Sequence, residues 1–411
     1  MNRNTCSSLL LTSGFIFSLL VVAVTAGEEP TFADRTSEST DSEETIGDDD
    51  ILLVSSARRY SVSSQTFVWR DEARRRSIPV KIFYPSTQHD EAFPVIVFSH
   101  GLGGSYNRCS YLGSAWASKG FVAVMVQHPG SDENIWKGKV RILQELQESY
   151  KYNWSGRTRA EDLRFVLDQL EYRLAQRIDL TRIGVGGYDL GALASLLLAG
   201  QKPPDGGPSL ADSRIKAIVA MSPPVNRPQK SYQAVYAGVT VPVLFVSGTD
   251  DDGIVGSTKA SQRRIPFDAM SQGNRYLVIL QGADHQIYGG HMISLSLKAR
   301  NDKKFQAAIV RASGCFWQAH LQEDARALTI LNGYGLNAIL GGLARVERRL
   351  PDSETASEDV LPKEYTESSQ QTLPMETDTE EKTVVPVFPL TRYYRSISDR
   401  YGQTLLTVAA D

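Results

Sequence analysis

Cysteine and histidine are scarce in this chain. Only three cysteines and six histidines occur among 411 residues, and they lack the close spacing of zinc ligands. A dinucleotide-binding loop is also missing, because Gly184, Gly186 and Gly187 are not followed by the third glycine of that fingerprint. The sequence therefore predicts neither a metal centre nor a bound cofactor.

A marked excess of charge is missing as well. The formal net charge is -3, with 22% charged and 41% hydrophobic residues. This composition is typical of soluble globular proteins, and it offers no basic surface for nucleic acid. We therefore expect a small molecule as the partner, with a membrane involved only if the amino-terminal segment stays attached.

The amino terminus has the order of residues of a secretory signal. Arg3 precedes an apolar run over residues 9–24, and Val24-Thr25-Ala26 stands before a polar, acidic stretch. Residues 1–26 are therefore predicted to be a signal peptide cleaved after Ala26, and the protein to be secreted or periplasmic. Because the apolar run approaches the length of a membrane span, an uncleaved anchor is the alternative.

Signal cleavage would remove Cys6 and leave two cysteines. Cys109 and Cys315 fall in predicted helices in different parts of the fold. We predict two buried free thiols, although the sequence leaves a disulfide between them open.

Two further segments lie outside the predicted domain. Residues 27–60 are rich in Asp, Glu, Ser and Thr with little to bury, which predicts an acidic disordered linker. Residues 346–411 contain a similar acidic stretch and a carboxyl-terminal tail of unknown role.

Between these segments, apolar strands alternate with helices. A charged turn joins strand-like runs at residues 64–69 and 78–84, as in a leading hairpin. The alternation predicts an α/β protein with a doubly wound, mostly parallel sheet and with ligands at the carboxyl ends of its strands. We expect residues 61–345 to form this single domain. Its helices are predicted over residues 106–119, 157–174, 190–199, 257–270 and 302–321.

One turn of this domain has the glycine frame of a nucleophile elbow. The segment Gly187-Tyr188-Asp189-Leu190-Gly191 follows a short strand and precedes an apolar helix. In such an elbow the central residue lies at a strained turn above the sheet, and flanking glycines avoid a clash with neighbouring backbone. The central residue here is Asp189, where serine is usual.

Three further segments lie at the ends of other predicted strands. They are residues 99–105 (SHGLGGS), 247–253 (SGTDDDG) and 282–286 (GADHQ). Together with the elbow they follow the chain order of the α/β-hydrolase superfamily. Over about residues 67–321 the chain resembles the platelet-activating-factor acetylhydrolases and the dienelactone-hydrolase-like enzymes of that superfamily.

The resemblance implies an oxyanion hole made of two backbone N–H groups. The loop over residues 99–105 would supply one, from Leu102 or Gly103. Leu190, the residue after the elbow centre, would supply the other. Such donors stabilise negative charge that develops in a transition state.

The resemblance also implies a histidine base with a carboxylate partner. His285 would be the base, because imidazole exchanges protons near neutral pH. One of three consecutive carboxylates, Asp250, Asp251 or Asp252, would orient the imidazole. Spacing from Gly248 favours Asp251, whereas the following Ile-Val pair favours Asp252.

An aspartate at the elbow changes the chemistry that the site supports. Attack by Asp189 on an ester would give a reactive anhydride, so ordinary acyl-enzyme chemistry has little to gain from this aspartate. A carboxylate can attack the carbon of an alkyl halide or an epoxide, and a histidine-activated water can hydrolyse the resulting ester. Tyr232 and Tyr236 are candidate acids for an epoxide oxygen, or else ordinary loop tyrosines.

Three functions are therefore open. The first is a hydrolase acting through Asp189 and His285, with Asp251 or Asp252 as the orienting acid. The second is a non-catalytic relative that binds a small ligand or a partner in the same pocket. The third is a hydrolase with another nucleophile, of which Ser105 is nearest in sequence.

Overall fold

The computed structural model describes residues 60–87, 91–174, 176–225, 229–291 and 298–350. The predicted signal peptide, residues 27–59 of the linker and residues 351–411 lie outside the described residues. The α/β prediction is confirmed: a nine-stranded sheet has helices on both faces. Within these ranges, no helix is both long and apolar enough to cross a membrane.

The sheet is mostly parallel. Its strands are β1 (Ser61–Asp71), β2 (Arg76–Ser86), β3 (Phe93–Ser99), β4 (Val122–Val126), β5 (Ile178–Tyr188), β6 (Ile215–Met221), β7 (Val243–Asp250), β8 (Arg275–Asp284) and β9 (Ala344–Arg349). Their order in the sheet is β1-β2-β4-β3-β5-β6-β7-β8-β9. Strands β3 to β8 are parallel, while the β1–β2 hairpin and β9 pair antiparallel at the two edges.

Helices cover both faces of this sheet. They are α1 (Ser110–Ala117), α2 (Ile142–Asn153), α3 (Arg157–Leu174), α4 (Leu190–Leu198), α5 (Tyr232–Tyr236), α6 (Ile265–Ala269), α7 (Asp302–Leu321), α8 (Ala325–Asn332) and α9 (Gly335–Leu340). Helices α3 to α6 contribute to the apolar core on one face, and α1 with α7 to α9 to the core on the other.

Strand β3 shows how one strand supplies both cores. Every residue in it is buried. Val95 and Val97 pack into one core, and Ile96 and Phe98 into the other, because successive side chains point to opposite faces of a sheet. A continuous apolar run is therefore what a strand covered on both faces requires.

The structure differs from the predicted helix over residues 257–270. This segment contains a short 3-10 turn, Ala260–Gln262, followed by α6. Pro266 lies in the first turn of α6, where its missing N–H is not needed; in the middle of a longer helix it would break the hydrogen bonding.

Strand β9 was not expected from the sequence. It pairs with β8 and crosses the domain boundary predicted at residue 345. Its sequence is ARVERR, and Val346 is its buried residue. An edge strand with so little apolar alternation gives a weak pattern.

Both cysteines in the described residues are buried free thiols, as predicted. Cys109 directly precedes α1, and Cys315 lies within α7. Burial raises the pKa of each thiol to about 12. Neither thiol is a reactive nucleophile near neutral pH.

Candidate active site

Asp189 lies at the turn between β5 and α4. Its backbone has φ 54° and ψ -120°, a conformation that residues other than glycine rarely adopt. A Cβ atom on Gly187 would overlap the backbone of Gly191, and one on Gly191 would overlap the carbonyl of Ser99. Close packing therefore explains the two flanking glycines, as the sequence indicated.

The two carboxylate oxygens of Asp189 have different surroundings. Oδ2 accepts a hydrogen bond from the N–H of Leu102 at 3.1 Å. Oδ1 lies 3.9 Å from Nε2 of His285, which is too long for a direct hydrogen bond. One oxygen is thus held at the predicted oxyanion-hole position, and the other is on the side of the histidine.

The second candidate in the oxyanion-hole loop does not share this contact. The N–H of Gly103 donates to Ser131 O at 2.9 Å, so Leu102 is the residue of this pair that faces Asp189. Leu190 is the first residue of α4, where backbone N–H groups have no partner within the helix.

Asp251 is the carboxylate that meets His285. Its Oδ1 lies 2.8 Å from His285 Nδ1, and its side chain is fully buried. Asp252 points away and pairs with Lys259 at 2.8 Å, and Asp250 is exposed. The sequence left Asp251 and Asp252 as alternatives, and in the structure Asp251 is the one that contacts His285.

Four further side chains hold the Asp251 carboxylate. They are Ser222 at 2.8 Å, Ser247 at 3.0 Å, Arg263 at 3.0 Å and Tyr288 at 3.3 Å. Burial alone would raise the pKa of Asp251, but the hydrogen bond with His285 and the charge of Arg263 hold it below its usual value. The carboxylate is therefore ionised and fixed in orientation.

Sequence reasoning missed these four residues. Ser222 directly follows β6, and Ser247 lies near the carboxyl end of β7, so polar residues at the ends of parallel strands were the available signal. Arg263, only 1% exposed, also approaches His285 Nδ1 at 3.2 Å. A lone arginine between two short helical turns gives no sequence signal.

Tyr188 contacts both the backbone and the ring of His285. Its hydroxyl donates to the backbone carbonyl of His285 at 2.8 Å, and its ring stacks on Tyr288 with centroids 4.9 Å apart. The ring also fills the space beside Gly101, where a Cβ would overlap it. Tyr188 therefore joins the oxyanion-hole loop to the histidine loop.

Other predicted candidates lie away from this arrangement. Ser105 is buried, and its hydroxyl has no hydrogen-bond partner among the described residues. Tyr232 and Tyr236 line a different pocket, together with Leu193 and Gln201. We therefore find no support for Ser105 as a nucleophile or for these tyrosines as acids at Asp189.

Asp189 opens into a small pocket of about 70 Å³. The glycine loop over residues 100–104, Asp189 and His285 form its polar side, and Trp136, Leu146, Ile254 and Val255 its apolar side. Arg108 also lines it and donates to Gly290 O at 2.6 Å. Within the described ranges, no group of three or more His, Cys, Asp or Glu side chains could hold a metal ion.

Comparison with known proteins finds a family that part of the chain is similar to. Residues 60–151 match the family model described as platelet-activating factor acetylhydrolase, isoform II. This match covers about a fifth of the chain, over which the chain is similar to that family. The matched segment contains β1 to β4 and the loop predicted to form the oxyanion hole, whereas Asp189, Asp251 and His285 lie beyond it. No curated protein matches the chain.

Proposed function

We propose that this protein is a hydrolase in which Asp189 attacks a saturated carbon, His285 activates water and Asp251 orients His285. The division of the Asp189 carboxylate supports this proposal most directly. Oδ2 is held by Leu102 N–H, while Oδ1 is on the open side with His285. This division suits an aspartate nucleophile, because one oxygen can form a bond while the other stays in the oxyanion hole.

The first step would form an ester on Asp189. Oδ1 donates an electron pair to the carbon, the bond from carbon to the leaving group breaks, and the leaving group departs with that electron pair. Oδ2 then becomes the carbonyl oxygen of the ester and keeps its contact with Leu102 N–H. No proton is needed on Asp189 for this step.

The second step would hydrolyse that ester. His285 Nε2 takes a proton from water, and the hydroxide adds to Cγ of Asp189. The negative charge that develops on Oδ2 is stabilised by the N–H groups of Leu102 and Leu190. The intermediate then expels the alcohol oxygen, which receives the proton from His285. The carboxyl group of Asp189 keeps the second proton of the water and releases it to solvent, which restores the carboxylate.

The pocket favours a leaving group that departs as an anion. Arg108 supplies positive charge to the pocket wall. The tyrosines considered as acids for an epoxide lie in another pocket. We therefore favour a small alkyl halide over an epoxide as the substrate class.

Isotope labelling tests the attacking atom. With enzyme in excess over bromoethane in ¹⁸O-water, one turnover should place the label in the Asp189 carboxylate, because water attacks Cγ and the ethanol oxygen comes from Asp189. Mass spectrometry of the peptide that contains Asp189 measures this, and 1,2-epoxypropane gives the parallel test for epoxides.

Two variants are the controls for this experiment. His285→Gln should still be alkylated but should accumulate the ester, because its water is not activated. Asp189→Asn should show neither adduct nor label. If neither the native protein nor His285→Gln gains mass on Asp189 with either reagent, the proposed nucleophile is wrong.

A ligand-binding protein without catalysis is the second candidate. The same contact between Asp189 Oδ2 and Leu102 N–H favours it, because a substrate carbonyl cannot use a donor that already holds a carboxylate. In that case the pocket would bind a small molecule, and the labelling experiment would show no ¹⁸O in Asp189.

We also propose that the protein is exported. The basic, apolar and small residues of positions 1–26 support this. Amino-terminal sequencing of the mature protein should begin at Gly27. Recovery of intact Met1 from a cytoplasmic fraction would contradict export.

A further inference from the structure

A buried polar network lies behind the oxyanion-hole loop, on the side away from the pocket. Arg159 and Asp162 lie one turn apart on α3 and are 1% and 0% exposed. Buried ions are costly unless paired and hydrogen-bonded. Their presence here therefore calls for a role in the loop that they contact.

Arg159 holds the carbonyl groups of this loop. Its guanidinium donates to His100 O, to Gly101 O at 3.3 Å and to Ser131 O at 3.1 Å. It also donates to the hydroxyl of Ser99 at 3.3 Å. One planar side chain thus joins the end of β3 to the loop that follows β4.

The bond to Gly101 O bears directly on the oxyanion hole. The carbonyl of Gly101 and the N–H of Leu102 belong to the same peptide plane and point in opposite directions. Arg159 contacts this plane on its carbonyl side, where Gly101 O also accepts from the N–H of Gly104 at 3.1 Å and lies 2.6 Å from His100 Nδ1. Asp189 contacts the plane on its N–H side. A cation on the carbonyl side both orients the plane and polarises the N–H.

Asp162 fixes the other half of the network. Its carboxylate binds Arg76 and His128, and His128 Nε2 lies 2.9 Å from Ser99 Oγ. Burial lowers the pKa of His128 to about 4 despite its bond to Asp162. The ring is therefore neutral at neutral pH and can donate to Asp162 while accepting from Ser99.

This Ser99–His128–Asp162 series has the order of a catalytic triad but not its accessibility. All three side chains are 0% exposed, so no substrate reaches the hydroxyl. The series instead fixes the end of β3, from which the oxyanion-hole loop begins.

Arg159 also acts on Asp189 through its charge. Burial lowers the pKa of Arg159 to about 10, and the charge of Asp189 is the strongest influence opposing that decrease. Arg159 therefore remains a cation at neutral pH and stabilises negative charge in the oxyanion hole.

We propose that Arg159 is a positioning residue of the oxyanion hole: it helps to orient the peptide between Gly101 and Leu102 and provides a buried positive charge for an anion at Leu102 N–H. The proposal goes beyond the function proposed above. It holds whether Asp189 is a nucleophile or an inert carboxylate, because it concerns the hole itself.

Acetate can test the hole without any catalysis. Asp189→Gly removes the side chain, whose carboxylate end has the structure of acetate, and glycine suits the φ of 54° at this position. In this variant, added acetate should bind at the vacated position and shift the amide NMR signal of Leu102. The concentration dependence of that shift gives a dissociation constant.

Arg159 is then changed in the Asp189→Gly protein. Arg159→Met should weaken acetate binding by about 10-fold or more, which corresponds to about 1.4 kcal/mol. Arg159→Lys keeps the charge but cannot bridge the same carbonyls. The acetate affinity of this variant should therefore lie between that of the protein with Arg159 and that of Arg159→Met. The matched control is Arg275→Met, because Arg275 is also a buried arginine bonded to a backbone carbonyl but lies at the amino end of β8.

The outcomes are distinct. Acetate affinity that is unchanged by Arg159→Met, or reduced equally by Arg275→Met, would overturn the proposal. So would the absence of any Leu102 shift with acetate in Asp189→Gly. If Arg159→Met does not fold, Arg159→Lys decides, and a lysine variant as tight as the arginine parent would overturn the positioning role. None of these results depends on alkylation of Asp189.

Discussion

Asp189 has a strained backbone conformation, with φ 54° and ψ -120°. Such conformations cost about 1–3 kcal/mol for residues with a Cβ. We predict that Asp189→Gly is more stable than Asp189→Ala by about 1–2 kcal/mol, because both variants lose the carboxylate but only glycine relieves the strain. Urea unfolding of the two variants measures this difference.

The control for this prediction is the helix that follows. At Ala192, buried inside α4, glycine should be less stable than alanine by at least about 0.5–1 kcal/mol, because a helix interior disfavours glycine and a buried methyl group is also lost. Equal stability of the glycine and alanine variants at position 189 would contradict backbone strain at the elbow.

Serine at position 189 is the second change to test. Asp189→Ser frees Leu102 N–H from the carboxylate and supplies a hydroxyl nucleophile on the His285 side. Hydrolysis of a short activated ester such as p-nitrophenyl acetate should rise at least about 100-fold, the order that a single oxyanion-hole donor contributes. Release of p-nitrophenolate measures the rate.

A second substitution shows whether the increase in ester hydrolysis requires His285. Asp189→Ser with His285→Ala should lose it, because the serine then has no base. A folded serine variant that hydrolyses the ester no faster than buffer would show that the site geometry does not support acyl transfer.

The sequence could predict these site residues only in part. The motifs identified Asp189 and His285 and left Leu102 and Gly103 as alternatives. The structure places Asp189 against Leu102 and on the side of His285. Asp251 could not be separated from Asp252, because which carboxylate turns inward depends on where β7 ends. Arg159 was missed because a buried arginine in a charged helix resembles a solvated residue.

At the level of elements, α7 contains a partly buried titratable group outside the candidate site. His320 packs against Phe316 and Tyr276, and burial lowers its pKa to about 4. The unfolded chain binds a proton at this position below about pH 6.5, whereas the folded chain does so only near pH 4. Stability is therefore lost as the pH falls from 6.5 to 4.

Replacement of this histidine by phenylalanine should remove that loss. We predict that His320→Phe is more stable than the native protein at pH 5, with a pH-dependent gain of about 2 kcal/mol relative to pH 8. Urea unfolding of both proteins at the two pH values measures it. The same change in stability from pH 8 to pH 5 in both proteins would show that His320 is protonated as easily in the fold as outside it.

The elements that the sequence predicted best are the long ones. Helices α3 and α7 have the predicted bounds, because many turns repeat the same apolar spacing. Helices α8 and α9 and strand β9 are short, with 8, 6 and 6 residues. Helix α8 packs on α7, α9 packs on α7 and β9, and β9 pairs with β8. Because tertiary contacts stabilise these elements, their own sequences give a weak pattern.

For the whole molecule, the cysteines report on processing. Cys6 lies in the predicted signal peptide, and Cys109 and Cys315 are buried free thiols. Because burial raises the pKa of both buried thiols to about 12, the native protein should react with iodoacetamide much more slowly than a free cysteine does. In denaturant, the exported protein should show two thiols by intact mass, since cleavage after Ala26 removes the third. Three modified thiols would contradict cleavage, and none would mean that Cys109 and Cys315 are oxidised, against the structure.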